Sequence, residues 1–154
     1  MVIICAVDGG FRRGELLNAK WRDVDFEEGT IAARNYKGKS LSTRAVFMTA
    51  RMKFALIEWK TLQKQIRKIK DKSRVIGYDA VTNGWETIRE KINRPDLRLH
   101  DLRHVFGTRL NEKRVPLRDI QLLLGHSDIK TTQIYINPQA EDLRESARQI
   151  EETD

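Results

Sequence analysis

The sequence predicts a mainly helical α+β domain with one small antiparallel β-sheet. Across most of the chain, apolar residues recur every three or four positions, the spacing that gives a helix one buried face. The exception is residues 29–49, where β-branched residues lie on both sides of the polar turn KGKSL, a pattern typical of a β-hairpin. A chain of 154 residues with 40% hydrophobic content can bury one core, so we interpret residues 1–154 as a single domain.

Glycine and proline mark the ends of the predicted helices. Gly9 and Gly10 separate the first two helices, Pro116 suits a first helical turn, and Gly125 suits a helix stop. The predicted helices cover residues 2–7, 14–21 and 52–69, a segment with Trp85, Ile88 and Ile92 that ends before Pro95, residues 100–113 and 116–124, and a last turn that carries Tyr135. The residues expected to face inward are Met52, Leu56, Trp59, Leu62, Ile66 and Ile69 on one long helix, and Leu102, Val105, Phe106 and Leu110 on another.

The net charge of +7 is concentrated in residues 51–74, which hold nine basic side chains and two acidic ones. A solvated helix face would explain such a stretch, and so would a surface that binds a polyanion through salt-sensitive release of counterions. Residues 139–154 differ, because they hold six acids and two arginines. We expect them to form a helical tail that docks on protein rather than on a polyanion.

Cysteine content and apolar runs exclude several classes of protein. Cys5 is the only cysteine, and no Cys/His cluster has the spacing of zinc ligands. No apolar run approaches the about 18 residues of a membrane span, and MVIICAV lacks the basic start of a signal peptide. We therefore expect a soluble cytoplasmic protein without a metal or another cofactor. The apolar segment that begins at Met1 is consistent with a missing N-terminal partner domain.

Four separated stretches resemble, in order, the motifs of the tyrosine recombinase, or phage integrase, catalytic domain. They are GGFRRGELLNAKWRDVDF at 9–26, NYKGKSLSTR at 35–44, LRLHDLRHVFGTRL at 97–110 and LLLGHSDIKTTQIY at 122–135. The family motifs are G-x-R-x-x-E-L, a hairpin lysine, H-x-x-R, L-G-H and a T-T-x-x-Y box. Any one of them is weak evidence alone, whereas all of them in order are strong evidence. The resemblance implies the fold of DNA breaking-rejoining enzymes and a site-specific DNA recombinase or integrase.

The resemblance also implies a set of catalytic residues, which are Arg12, a hairpin lysine, His100, Arg103, His126 and the nucleophile Tyr135. The lysine has two candidates, because this hairpin is longer than is usual in the family. Counting forward from Gly29 favours Lys37, which we prefer, whereas counting back from RAVFM at 44–48 favours Lys39. No metal ligand is implied.

Phosphodiester cleavage explains why these residue types occur together. Arg12 and Arg103 offer planar guanidinium groups that match phosphate oxygens and neutralise the charge that builds on them. His100 lies one helical turn before Arg103 and can either donate a hydrogen bond or accept the tyrosine proton. Tyr135 would attack phosphorus to give a 3′-phosphotyrosyl link, and the lysine would protonate the leaving 5′-oxygen. We expect His126 to hydrogen-bond the scissile phosphate.

Other polar residues receive supporting roles. We expect five basic residues to contact DNA phosphates, although a solvated face explains them about equally well; they are Arg13, Lys60, Lys64, Arg67 and Lys68. Glu15 and Asp101 are interpreted as orienting neighbouring cations, and Thr131 and Thr132 as positioning the turn that carries the tyrosine. His104 is interpreted as structural, with packing or hydrogen bonds inside its own helix.

The expected partner is double-stranded DNA, bound by a homo-oligomer. The resemblance implies a tetramer on two DNAs, with each C-terminal tail packed on a neighbouring protomer, and an accessory DNA-bending protein is compatible with it. We expect the family's N-terminal core-binding domain to be absent from residues 1–154. Two alternatives stay open: a type IB topoisomerase-like enzyme that reseals the same strand, and a catalytically idle DNA-binding module.

Overall fold

A computed structural model describes residues 1–38, 40–77 and 81–135 of the protein. In that part of the chain the helices are α1 Val2–Gly9, α2 Arg13–Asn18, α3 Ala50–Ile66, α4 Asn83–Lys91, α5 Leu99–Glu112, α6 Leu117–Leu124 and α7 Lys130–Gln133, with a 3-10 turn at Trp21–Asp23. The domain is mainly helical with one small sheet, as predicted. The predicted tail at 139–154 and the alternative lysine, Lys39, lie outside the described residues.

The sheet has three antiparallel strands in the order β1-β2-β3, which are Val24–Asp25, Thr30–Lys37 and Ser40–Phe47. The β2-β3 register runs from Thr30 opposite Phe47 to Lys37 opposite Ser40, which confirms the predicted hairpin. Ile31 and Val46 are directly opposite each other and both are buried. One face of the hairpin therefore covers the core, as the alternation of side chains along a strand requires.

The long helix α3 packs on the main core through buried residues that match the predicted set only in part. Met52 and Leu56 are fully buried as expected, but Leu62 and Ile66 are exposed. The buried residue near the end of the helix is Gln63, which accepts a hydrogen bond from the indole N–H of Trp21 and donates one to a backbone carbonyl. A polar side chain with satisfied hydrogen bonds therefore takes the inner position, and apolar spacing alone cannot reveal this.

A second, smaller cluster of apolar side chains lies between α5 and α6. We call it the tyrosine cluster; it consists of Ile120, Leu124 and Tyr135, with Phe106, Leu110 and Val115 packed against it. Val105 was predicted to face inward but is exposed. It lies two residues from both Arg103 and Gly107, which are buried, and so falls on the opposite side of the helix.

Within residues 1–38, 40–77 and 81–135, no helix has the length and apolar character of a membrane span.

Candidate functional site

The motif residues converge where α1 and α6 end. The side chains of Arg12, Arg44 and Arg103, which we call the arginine cluster, donate hydrogen bonds to backbone carbonyls at one or both of these helix ends. The last carbonyl groups of a helix have no partner within the helix and carry the negative end of its dipole. Two helix ends therefore form a cradle of oxygen atoms that favours guanidinium groups.

Arg103 is the most deeply buried member of the arginine cluster, with 1% of its surface exposed. Its guanidinium bridges the two helix ends, because it donates to the carbonyl of Gly10 and, at 2.6 Å, to that of Leu124. Burial, together with the charges of Arg12 and Arg44, lowers the pKa of Arg103 to about 9. The side chain therefore remains charged at neutral pH, despite its place in the interior.

Arg12 is held in place by a buried carboxylate. Its guanidinium donates to Glu15 Oε1 at 2.9 Å and to the carbonyl of Gly125 at 2.7 Å. Glu15 also accepts the backbone N–H of Arg12 and so closes the first turn of α2. Burial alone would raise the pKa of Glu15, but hydrogen bonds and charges from Arg44 and Arg12 hold it below its ordinary value. Glu15 is therefore placed to orient two arginines.

Arg44 on β3 is a member of the site that the motifs did not reveal. It donates to Glu15 Oε2 at 2.9 Å and to the carbonyls of Gly10, also at 2.9 Å, and Leu123. Only 10% of its side chain is exposed. One signal was available in the sequence: Arg44 lies two residues before the buried Val46 and so shares its inward face, where a charged residue needs a partner.

Gly125 and His126 form the turn that follows α6. Gly125 ends the helix in the left-handed conformation, with φ of 65°, and a Cβ there would meet Arg44 Cδ at 2.6 Å. The next residue, His126, has its Nδ1 2.8 Å from Thr132 Oγ1. Burial, followed by the positive charges of the arginine cluster, lowers the pKa of His126 to about 4. The imidazole is therefore neutral at neutral pH and can act as a hydrogen-bond donor without adding charge.

Tyr135 lies in the tyrosine cluster with 8% of its surface exposed. Its ring packs directly on Gly107 of α5, and it is parallel to the His126 imidazole within 6°, with the ring centroids 6.5 Å apart. Burial raises the pKa of Tyr135, while the charge of Arg103 opposes that shift. The hydroxyl is therefore protonated at neutral pH in the free protein.

Gly107→Ala is expected to displace the ring of Tyr135 and to lower the free energy of unfolding by about 2 kcal/mol. A Cβ at this position would lie 2.5 Å from Tyr135 Cζ, whereas alanine elsewhere in a helix normally stabilises it relative to glycine. Urea unfolding measures the effect. The exposed neighbour Thr108 supplies the matched control, because Thr108→Ala should change stability by less than about 0.5 kcal/mol. An unchanged midpoint for Gly107→Ala would contradict the contact.

Two histidines of α5 lie near Tyr135, and the nearer one is not the predicted one. His104 Nδ1 lies 3.0 Å from Tyr135 Oη, whereas His100 contacts His104 edge to face, with ring centroids 4.7 Å apart. His104 was predicted to pack or hydrogen-bond within its own helix: it does pack on His100, but its hydrogen bond reaches Tyr135, outside the helix. Burial, then the charges of His104 and Arg103, lower the pKa of His100. The sequence holds no local signal for the contact between His104 and Tyr135, because the two residues are 31 positions apart.

The chain is similar to known proteins over nearly all of its length. Residues 1–142 match the phage integrase family. The chain belongs to this family. It is 36% identical to the tyrosine recombinase XerA of Saccharolobus solfataricus over 146 residues, which are 94% of this chain and 47% of that protein. The family and the fold class predicted from the sequence are both confirmed.

Solved structures of tyrosine recombinases share the fold of this integrase family member. A crystal structure of XerA recombinase matches with a TM-score of 0.73 and 29% identity, covering 95% of this chain and 55% of that one. The XerH site-specific recombinase bound to its difH substrate matches with a TM-score of 0.70 and 29% identity, covering 95% and 45%. The chain thus spans about half the length of the curated relatives it matches.

The remaining residues that were predicted to act in the site or to contact DNA lie on the hairpin, on α2, on α3 and directly after α3. Lys37 is the last residue of β2, opposite Ser40 at the hairpin tip, so the choice between it and Lys39 stays a prediction. Arg13, Lys64, Arg67 and Lys68 are exposed, whereas the ammonium of Lys60 lies 5.1 Å from the centroid of the Trp21 ring. In the described ranges, no group of three or more His, Cys, Asp or Glu side chains could hold a metal ion.

Proposed function

We propose that this member of the phage integrase family cuts and rejoins double-stranded DNA through a covalent 3′-phosphotyrosyl bond to Tyr135. The observation that carries the proposal is the arginine cluster next to this tyrosine. Its three guanidinium groups carry three positive charges, and the carboxylate that pairs with two of them, that of Glu15, carries one negative charge, so the site keeps a net positive charge beside a phenol. The XerH relative is described with its DNA substrate, which supports DNA as the partner of this chain.

A phosphodiester suits the site for reasons of charge and geometry. Arg12 is partly exposed and its described contacts leave N–H donors for a further acceptor. Arg103 and the neutral His126 lie close to it, since the charges of both arginines depress the pKa of that histidine. Preorganised donors of this kind are worth most where negative charge grows, which here is on the two nonbridging oxygens. The arginine cluster thus supplies the charge that a divalent cation supplies elsewhere.

The proposed reaction begins with attack of Tyr135 Oη on phosphorus. The bond from phosphorus to the 5′-oxygen breaks, and the leaving oxygen takes a proton from the hairpin lysine, which we assign as Lys37 in preference to Lys39. The new bond keeps the energy of the broken one. A 5′-hydroxyl can then attack the phosphotyrosine and reseal DNA without ATP.

We further propose strand exchange between two DNAs by a homo-tetramer, with the 139–154 tail as the docking segment between protomers. The named relatives are recombinases, which favours exchange over topoisomerase-like resealing of one strand and over an idle binding module. Arg13, Lys64, Arg67 and Lys68 would add phosphate contacts, and an accessory DNA-bending protein would fit the same assembly. Such an enzyme would act at the nucleoid in the cytoplasm.

Supercoiled plasmid in excess EDTA tests the proposal. The wild-type chain is expected to relax the plasmid and to leave protein covalently attached to 3′ DNA ends after SDS treatment, whereas Tyr135→Phe should give neither product. Tyr36→Phe is the matched control, because Tyr36 lies on β2 with 55% of its surface exposed, and it should behave as the wild type.

Two outcomes would contradict the proposal. One is a wild-type chain that binds the plasmid yet forms no adduct, which would favour the binding module. The other is an adduct that forms only after Mg²⁺ is added back, which would mean that the arginine cluster does not supply the required charge.

A further inference from the structure

We propose that His104 takes the proton from Tyr135 as the tyrosine attacks DNA, and returns it when the strand is resealed. This inference rests on the proposed function and adds a residue that lies outside the motif set of Arg12, His100, Arg103, His126 and Tyr135. The starting observation is the 3.0 Å separation between His104 Nδ1 and Tyr135 Oη. Among the described residues, this is the hydrogen bond that reaches the reacting atom.

Neighbouring residues on both elements hold the contact between His104 and Tyr135 in place. Gly107, one turn after His104 on the same face of α5, is the surface on which the tyrosine ring rests. Thr132, at the start of the turn that carries Tyr135, is fully buried and bonds to His126. The hydroxyl of Tyr135 is therefore directed at His104 by packing as well as by the hydrogen bond itself.

The other basic groups near Tyr135 are less suited to accept its proton. His126 has its Nδ1 engaged with Thr132 Oγ1, at 2.8 Å. His100 contacts the ring of His104 rather than the tyrosine hydroxyl. Arg103 is a donor to two carbonyls and stays charged, so it cannot accept a proton.

The proton balance of the step is complete. The neutral His104, with its proton on Nε2, accepts the hydroxyl proton of Tyr135 at Nδ1 while Oη bonds to phosphorus. The bond to the 5′-oxygen breaks, and that oxygen receives a different proton from the hairpin lysine. In resealing, the incoming 5′-hydroxyl attacks phosphorus and gives its proton to the hairpin lysine, which cleavage left neutral. The tyrosine oxygen leaves, and the His104 imidazolium protonates it.

The surroundings of His104 can stabilise the imidazolium. Asp101 lies one turn earlier on α5, and hydrogen bonds from Arg98, followed by the charges of Arg98 and His104, hold the pKa of that carboxyl below its ordinary value. Two positive groups lie nearby: Arg98, which is paired with Asp101, and Arg103, whose charge a DNA phosphate bound to the arginine cluster would offset. His104 thus gains its proton beside one carboxylate and one phosphate.

Two substitutions separate proton transfer from simple positioning. His104→Asn places an amide close to the position of Nδ1, so it can hold the tyrosine hydroxyl but cannot take its proton. His104→Ala removes both abilities. The wild-type chain first defines the cleavage site, by sequencing of its 3′ adducts on plasmid, and a synthetic duplex of that site then serves for single-turnover cleavage.

Both variants are expected to cleave the duplex about 10²-fold more slowly than the wild type while binding it equally well. A second duplex carries sulfur in place of the leaving 5′-oxygen. The sulfur leaves as a thiolate, so this duplex needs no proton on its leaving group. The deficit of both variants should persist on this duplex, because the tyrosine must still lose its proton. Thermal melting of each variant reports folding, and His104→Asn keeps the test valid if His104→Ala fails to fold.

Several results would overturn the inference. Wild-type rates for His104→Asn would make His104 a positioning residue only. Rates above the wild type in either variant would make the hydrogen bond a restraint on the tyrosine. Recovery on the sulfur duplex would assign His104 to the leaving group instead. Failure of the proposed function is distinguishable from all three, because it removes the adduct from the wild type itself.

Discussion

Arg103→Ala is expected to lower the free energy of unfolding by about 3 to 5 kcal/mol and to abolish the covalent DNA adduct. The substitution leaves the buried carbonyl of Leu124 without its guanidinium donor and that of Gly10 with Arg44 alone. It also opens a cavity at a residue that is 1% exposed. It also removes a donor to the developing phosphate charge, and a single donor of this kind is worth about 10²- to 10³-fold in rate. Urea unfolding and the plasmid adduct assay measure the two effects.

Two variants serve as controls for Arg103→Ala. Arg103→Lys keeps the charge but cannot bridge two carbonyls with a planar fork, so it should fold better than the alanine variant and still cleave at least about 10-fold more slowly than the wild type. Arg109→Ala changes an exposed arginine of the same helix and should cost less than about 1 kcal/mol. An Arg103→Ala chain with the wild-type urea midpoint would refute the bridging role.

Glu15→Gln is expected to destabilise the chain by about 3 kcal/mol. Glu15 is 1% exposed, and its carboxylate balances Arg12 and Arg44, so the neutral amide would leave the arginine cluster without a buried counter-charge. Sulfate should restore part of the lost stability, because an anion bound to the folded cluster stabilises the folded state. Urea unfolding with and without sodium sulfate, at matched ionic strength, measures both effects.

Asp101→Asn is the matched control for Glu15→Gln. Asp101 occupies the same position in α5 as Glu15 does in α2, and it accepts the backbone N–H of Arg98 in the same way. Its ion pair with Arg98 is exposed to solvent, so the loss should be only about 1 kcal/mol and insensitive to sulfate. Equal losses for the two variants would mean that burial does not set the importance of Glu15.

Much of the fold could be predicted from residue spacing, because local patterns determine local structure. The hairpin around KGKSL and the stop at Gly125 are examples, since turn chemistry and a left-handed glycine are properties of a few adjacent residues. The predicted buried face of α3 was wrong near the end of the helix, where the apolar residues Leu62 and Ile66 are exposed and Gln63 is buried. Its two hydrogen bonds depend on Trp21 and on a carbonyl of residue 75, which spacing along one helix cannot reveal.

The residues of the candidate site also fall into those that local motifs indicate and those that depend on distant contacts. Arg103 and Tyr135 could be predicted because each lies in a motif with a characteristic neighbourhood. His104 could not, because its contact with Tyr135 joins two segments that only the packing of α5 against the tyrosine cluster brings together. Arg44 is intermediate: strand alternation marks its inward position, but its carbonyl partners come from the ends of other helices.

The most direct test of the account identifies the amino acid bonded to DNA. The plasmid adduct formed in EDTA is digested with nuclease and trypsin, and the peptides are sequenced by mass spectrometry. Trypsin should release the peptide TTQIYINPQAEDLR, residues 131–144, in which Tyr135 is the one tyrosine. The expected result is a nucleotide 3′-phosphate on that residue. A nucleotide on Tyr36 or Tyr78, or on a serine, would contradict it.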